Sequence, residues 1–395
     1  MRSAAIAREE GATARPRVVW ALGVAVFALA AFSALQIFLA KQPYGYDLWA
    51  YVLAGRHLLA GEPLYPYDPA VPFGPFGEYH YAPATAVPFM LLAPLPFWLA
   101  TAVSIGLNVG IATAIGVHLI RPLPRDARPW AAGAYVLFLP LVLEIALGQL
   151  NLITLALCLL AWSLRSRPIA SGVILGVAIG VKLLPATLIL FYLASGRVRL
   201  VMATLVTGLV GLALTWIMFP RDLPGYIGIL VALRGGEWAS AYIARSSPTW
   251  LADLVGAAAV MALLPVVALG TAVGGGLLAR RDAQHQTQLH HLALAFAPYV
   301  ASFGLMWFPY LVTTLPALAV TLRSALLLPQ RVARAGSVAA LAMSWLLLQI
   351  VGGEDDIVPI AAHLLGLIVL LTVAVLVLVL GTARQPVPRA DLAAA

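Results

Sequence analysis

The chain has 395 residues, of which 62% are hydrophobic and only 10% charged, with a formal net charge of +8 and a mean hydropathy of +0.95. Repeated apolar runs of about 20 residues on that background exclude a soluble globular protein and a nucleic-acid partner, and predict an integral membrane protein. The one cysteine, Cys158, lies inside an apolar run, so no disulfide framework is expected.

The first apolar run, 18–40, is too long for a cleavable signal peptide and is expected to stay as a membrane helix behind a cytoplasmic tail, 1–17. A polar, aromatic outward loop follows over 41–96, reading KQPYGYDLWAYVLAGRHLLAGEPLYPYDPAVPFGPFGEYHYAPA over its first part. Tyr46 to Ala60 reads as a helix whose apolar side (Leu48, Tyr51, Val52, Leu58, Leu59) meets the membrane interface. The stretch from Pro63 to Pro83 reads as irregular, and Ala84 to Ala93 as a second short helix ended by Pro94 and Pro96.

Asp47 is the sharpest candidate in this loop. Placed at the water boundary among Tyr44, Tyr46 and Trp49, its carboxylate can take a proton from an incoming hydroxyl as a general base. The competing reading makes it the N-cap of a helix starting at Leu48. Glu78, His80 and Tyr81, with Tyr46 and His57, form a polar and aromatic set that can contact a hydroxyl-rich or lipid-linked substrate, or simply anchor the interface. His57 and His80 lack metal-ligand spacing and no cysteine joins them, so no metal site is expected.

Further helices are expected over 97–120, 130–147 and 151–164. In the outer turn LEIALGQLN, Glu144, Gln149 and Asn151 can hydrogen-bond a sugar or join two helices. Between Arg167 and Arg197 both ends look cytoplasmic, and two helices of about 13 residues would each rise roughly 20 Å, short of a ~30 Å hydrocarbon core. A broken pair turning near Lys182 and Pro185 answers this. Backbone freed at that depth has to be covered by protein or line a cavity. Lys182 is then a candidate to hold a lipid phosphate, against the alternative of a lysine snorkelling to the interface.

A helix over 198–219 leads to a second outward loop, 220–250, in which Arg221, Arg234 and Arg245 face outward against the general bias and can bind an anionic phosphate. Helices over 251–279, 290–306, 309–322, 335–351 and 357–380 complete the chain before a second cytoplasmic tail, 384–395. The Gly274-Gly275-Gly276 run has no following Lys-Ser/Thr and predicts no nucleotide site. The other arginine clusters can all face the cytoplasm at once, which puts both termini there. The fold class expected is an all-α polytopic membrane protein of about 12 helices, with residues 18–383 forming a single transmembrane domain without internal repeat.

The ordered set AYVLAGRHLLAGEPLY after Asp47, YHYAPATAVPFMLLAPLP at 79–96, LGQLNLITLAL at 147–157 and ASGVILGVAIGVKLLPATLIL at 170–190 resembles glycosyltransferase family 87, integral-membrane enzymes of the GT-C fold. The resemblance implies transfer of a hexose, often mannose, from a polyprenyl-phosphate sugar to a lipid-linked or glycan acceptor. It places this on the outer face of a bacterial plasma membrane and requires no cofactor. It also implies that Asp47 matches the family's first-loop aspartate and Lys182 its lysine before a proline. Family members often carry a histidine after a tryptophan in a late outer turn. Here Trp307-Phe308-Pro309-Tyr310 has none, which leaves the donor phosphate to Lys182 or an arginine of the second loop. A transporter or flippase of a lipid-linked glycan, and a catalytically silent relative, are the competing readings.

Overall fold

Proline and glycine punctuate this chain, and its helices begin and end where they fall. The computed structural model describes residues 44–65, 79–235, 257–301, 308–350 and 358–382, and all regular structure among them is helical. The expected helices over 18–40, both tails, Glu78, Arg245 and Trp307 lie outside the described residues.

Helix α1 (Tyr46–Ala60) ends at Gly61, whose left-handed backbone (φ 68°) returns its N–H to the carbonyls of His57 and Leu58. Helix α2 (Pro83–Ala86) continues as a 3₁₀ turn over Val87–Leu91. One expectation for α1 is corrected. Leu48, Tyr51 and Val52 do not turn to the membrane interface: they are 1%, 2% and 0% exposed, clustered with Tyr79, Ala86, Ala100 and Leu150. In a membrane protein an apolar stripe fits a protein neighbour as well as lipid, so the pattern alone does not choose between them.

Helices α3 (Phe97–Ile120) and α9 (Val198–Met218) are the two described helices long and apolar enough to cross a membrane alone. The face of α9 is that of a lipid-bathed helix, with Met202, Leu205, Leu209 and Ile217 exposed. Its buried Thr204 instead turns inward and donates to the Gly172 carbonyl at 3.0 Å. The helix expected over 130–147 is two, α4 (Arg128–Val136) and α5 (Leu139–Leu147), set at a bend of 47°. Pro140, in the first turn of α5, disfavours helical backbone before it and lacks a donor. The N–H of Leu139 donates instead to Gln349 Oε1 at 2.6 Å.

Then come α6 (Asn151–Ser163), α7 (Pro168–Val181) and α8 (Thr187–Ala194). Between α7 and α8 the chain opens at Lys182 (φ −152°, ψ 131°) and passes through a 3₁₀ turn over Leu184–Ala186. This is the break expected near Lys182 and Pro185. Helix α7 lies against α9 at backbone distance, since a Cβ on Gly172 would come within 2.4 Å of the Leu200 carbonyl. Small residues permit that approach. The chain continues with α10 (Leu223–Gly235), α11 (Ala257–Arg281), α12 (Gln286–Ala301), a 3₁₀ turn over Phe308–Thr314, α13 (Leu315–Leu326), α14 (Arg331–Leu347) and α15 (Val358–Thr382). Leu155 of α6, Phe191 of α8 and Leu294 of α12 meet in the main core.

Candidate active site

Two glycines bring the beginning of α1 onto the turn between α5 and α6. Gly45 has φ 73°, its N–H donates to the Ala146 carbonyl at 2.8 Å, and a Cβ there would stand 2.8 Å from Thr101 Oγ1. Gly148 has φ 72°, and its Cβ would stand 2.8 Å from the Cβ of Leu48. Both positions need the left-handed backbone and the missing side chain. Asp47 therefore faces Gln149, whose Nε2 donates to Asp47 Oδ2 at 2.8 Å.

The capping alternative for Asp47 is overturned. The helix begins at Tyr46, the N-cap is Gly45, and no side chain caps it. The carboxylate lies in the first turn, where the helix dipole favours it, and its hydrogen bond goes across the fold.

Gln149 belongs to a longer chain of contacts. Asn151 Nδ2 donates to Gln149 Oε1 at 3.1 Å and to Glu144 Oε2 at 2.7 Å. Glu144 is fully buried, and its other oxygen accepts the Leu152 N–H at 3.1 Å. This carboxylate satisfies a backbone donor at the start of α6 and fixes the Asn151 amide at once. The Asn151 Oδ1 is left to accept from Lys182 Nζ at 2.6 Å. The lysine's ammonium stands 3.9 Å from the centre of the Tyr310 ring and 5.7 Å from that of Tyr81. A cation over a ring face is held by the ring's quadrupole without being neutralised.

Burial pushes the Asp47 carboxyl up from 3.8 to about 6, against the lowering pull of the Gln149 hydrogen bond, the Lys182 charge and His80. His80 is thus electrostatically beside the carboxylate. Tyr81 receives the Tyr51 hydroxyl at 3.1 Å, with the two rings 5.2 Å apart and edge to face, and its carbonyl accepts from the Tyr65 hydroxyl at 2.6 Å. Tyr46 precedes Asp47 in α1 and is half-buried. His57 turns away to its own loop, with Nδ1 3.0 Å from the Pro63 carbonyl and 3.4 Å from Glu62.

The segment that follows α9 begins against the one that follows α1. Asp222 Oδ1 accepts the Leu64 N–H at 2.7 Å, and Tyr226 stacks on Tyr65 at 6.3 Å. Arg221, next to that clip, is exposed, and Arg234 lies in the last turn of α10.

The structure thus joins Asp47, Gln149, Asn151 and Lys182 directly and sets Tyr81 and His80 beside them. Glu144 and Tyr310 hold that group together, Tyr51 backs it, and Asp222 ties the loops. Glu144 takes the helix-joining alternative read for it from the sequence, bonding Asn151 and Leu152, whereas the roles of Tyr310, Tyr51 and Asp222 were not assigned from sequence. Glu144 had one readable signal, a carboxylate in an apolar run, whereas the ring beneath Lys182 comes from a segment far along the chain.

The model of glycosyltransferase family 87 matches residues 79–309, a stretch that includes His80, Tyr81, Glu144, Gln149, Asn151 and Lys182 and begins after Asp47. Two curated relatives are both polyprenol-phosphate-mannose-dependent alpha-(1-2)-phosphatidylinositol mannoside mannosyltransferases. That of Mycolicibacterium smegmatis is 30% identical over 203 residues, 45% of this chain and 46% of its own length. That of Mycobacterium tuberculosis is 28% identical over 242 residues, 53% of this chain and 55% of its own. The chain therefore spans about half the length of the curated relatives it matches. No solved structure matches it.

Proposed function

The chain belongs to glycosyltransferase family 87, and from that premise we propose that it moves a hexosyl group, mannose first among them, from a polyprenyl-phosphate sugar to a lipid-linked or glycan acceptor. The reaction takes place on the outer face of a bacterial plasma membrane, in a chain of about 12 membrane helices with both termini cytoplasmic. The activities for which the two relatives are named support the choice of donor sugar and of a phosphatidylinositol-mannoside-type acceptor.

In this reading Asp47 accepts the proton of the acceptor hydroxyl while that oxygen attacks the anomeric carbon. The bond from that carbon to the phosphate oxygen breaks, its electron pair leaves on the phosphate, and the anomeric centre inverts. Lys182 receives the growing phosphate charge, with Arg221, Arg234 and Arg245 as further candidates. Tyr46, His80 and Tyr81, with Glu78 of the same loop, are the side chains proposed to meet the sugar and acceptor, whereas His57, turned to Pro63 and Glu62, is not. Phosphate is a good leaving group, so the chemistry does not oblige a metal ion or cofactor.

One observation carries the proposal. The carboxylate and the ammonium belong to a single hydrogen-bonded chain, Asp47–Gln149–Asn151–Lys182, in which neutral amides hold both charged ends. Neither charge is cancelled by the other, so the base stays available to a hydroxyl and the cation to a phosphate.

The test is an assay of membranes holding the protein with labelled polyprenyl-phosphate mannose and lipid acceptors. A new glycosidic linkage is expected. Translocation of a labelled lipid-linked glycan without linkage would instead identify a flippase, and neither activity would identify a silent relative.

A further inference from the structure

The far end of α6 carries a cationic group that the reaction does not use. Arg165 follows α6, Arg197 precedes α9, and Arg280 lies in the last turn of α11, so two inter-helix turns and one helix end bring these arginines to the same end of the bundle. The Arg165 guanidinium lies 4.7 Å from the centre of the Trp162 ring and that of Arg197 lies 5.7 Å from the same ring. An Arg197 nitrogen donates to the Arg165 carbonyl at 3.1 Å, and another donates to Gln286 Oε1 at 3.1 Å. Arg280 runs alongside Gly196, where an added Cβ would fall 3.7 Å from its Nε. Gly196 is left-handed (φ 79°) and exposed, which keeps the place between Arg197 and Arg280 open.

Among the described residues no carboxylate pairs with these arginines. Among the described residues the ion pairs are His57–Glu62 and His285–Asp282, and Asp282 is occupied further by the N–H groups of Gln284 and His285. Beneath the guanidiniums lie Trp162 and His290, whose rings stack at 4.3 Å. The His290 and His291 rings set Nδ1 against Nδ1 at 3.1 Å, a contact that needs at least one ring neutral to accept. Two guanidiniums on one tryptophan ring, held by carbonyl and amide acceptors, repel one another unless an anion joins them.

We propose that Arg165, Arg197 and Arg280 form a binding site for a phosphate group, roughly 20 Å from Asn151 by the length of α6, and that its occupant is the headgroup of an anionic phospholipid. Planar guanidinium forks match phosphate oxygens. Exposed apolar side chains, Leu193 at 51%, Val198 at 53% and Ile169 at 70%, stand beside the site together with the exposed polar Ser166, Arg167 and Arg199, a boundary that suits a headgroup with its acyl chains. The site stands apart from the Asp47 network and does not depend on the transferase reading.

The full chain, purified in detergent, is titrated with phosphatidylglycerol, phosphatidylcholine or inorganic phosphate while its thermal unfolding is followed. Phosphatidylglycerol raises the melting temperature saturably and phosphatidylcholine does not. The R165Q/R197Q variant binds phosphatidylglycerol about tenfold more weakly or worse, as expected for losing charge-assisted hydrogen bonds. R280Q has a smaller effect, and R125Q, an exposed arginine of another turn, none. Should R165Q/R197Q fold poorly, R165K/R197K keeps the charge, loses the forks and still weakens the response. An undiminished response in these variants, or an equal loss in R125Q, overturns the site. A response to inorganic phosphate with none to phosphatidylglycerol overturns the lipid assignment.

Discussion

Helix α6 has polar groups at both ends, and the two ends hold them by opposite means. At its start Asp47, Glu144 and Lys182 meet through the amides of Gln149 and Asn151. At its finish Trp162, Tyr192, His290 and two arginines meet through ring contacts and carbonyls, with no acid among them. The first end mixes charges of both signs and spaces them with neutral groups. The second gathers one sign and leaves it uncompensated. The two arrangements suit the two proposals made for them: a transfer in which a proton and a hexosyl group change places at the first end, and an anion that docks on the half-buried arginines of the second.

The strongest way to break this contrast is at Asp47. Asp47→Asn should lower transfer by on the order of 10²–10⁴-fold, the usual contribution of a general base, and should also melt higher at pH 7. The sign follows from the carboxyl's rise from 3.8 to about 6 on folding. Between those values the folded chain binds the extra proton, so its stabilising effect is complete below the lower value and lost as pH climbs through the upper one. At neutral pH the ionised carboxylate opposes folding, and asparagine removes that opposition. Initial rates and a melting curve on one preparation check both, and a variant that turns over normally ends the role of Asp47.

Next in size is Glu144→Ala. It strands the Asn151 amide and the Leu152 N–H, at roughly 1–3 kcal/mol for the buried donors left unpaired. Because Asn151 then no longer fixes Gln149 and Lys182, transfer should fall on the order of 10²-fold, as misplacements of about 1 Å do. Denaturant melts and rates measured under conditions where the variant is folded separate the two losses.

Gly148→Ala tests the approach of the turn to α1. Left-handed strain and the 2.8 Å contact with Leu48 should cost about 1–3 kcal/mol. Gly106→Ala, where nothing lies within 4 Å, should be neutral or stabilising in its helix. Equal melting temperatures for the two would show that the turn has room to spare.

The finest probe is Gln149→Leu, which removes a hydrogen bond that favours the ionised Asp47. The acidic limb of the pH–rate profile, expected near pH 6 in the unaltered protein, should move to higher pH. A limb that stays in place assigns it to another group.

Much of this was legible in the sequence where the signal is local. Gly45, Gly61, Pro94 and Pro96 frame the short helices of the first loop, and an ionisable residue beside Pro185 in an apolar run marks the broken pair. Asp47 stands out because few residue types near it can hold a proton. The contacts that make these residues a site were not legible, because they join positions far apart: Lys182 to Asn151, Tyr310 to Lys182, Asp222 to Leu64. The orientation of α1 failed for a different reason. Leu48 and Val52 are equally at home against lipid or protein, and long-range contacts, among them those of Gly45 and Gly148, decide for protein. Lys182 had a snorkelling alternative of the same kind, and it is the Asn151 amide and the Tyr310 ring that fix its head in the fold.

The bend before α5 has a consequence for anyone who shortens this chain. Glu144 sits on a helix whose opening N–H is held by Gln349, so a brace from the C-terminal third supports the segment that organises the Asp47 network. A fragment ending ahead of that glutamine would contain every residue of the network and still lack its scaffold. Possessing the motifs and being competent are, for this architecture, separate properties.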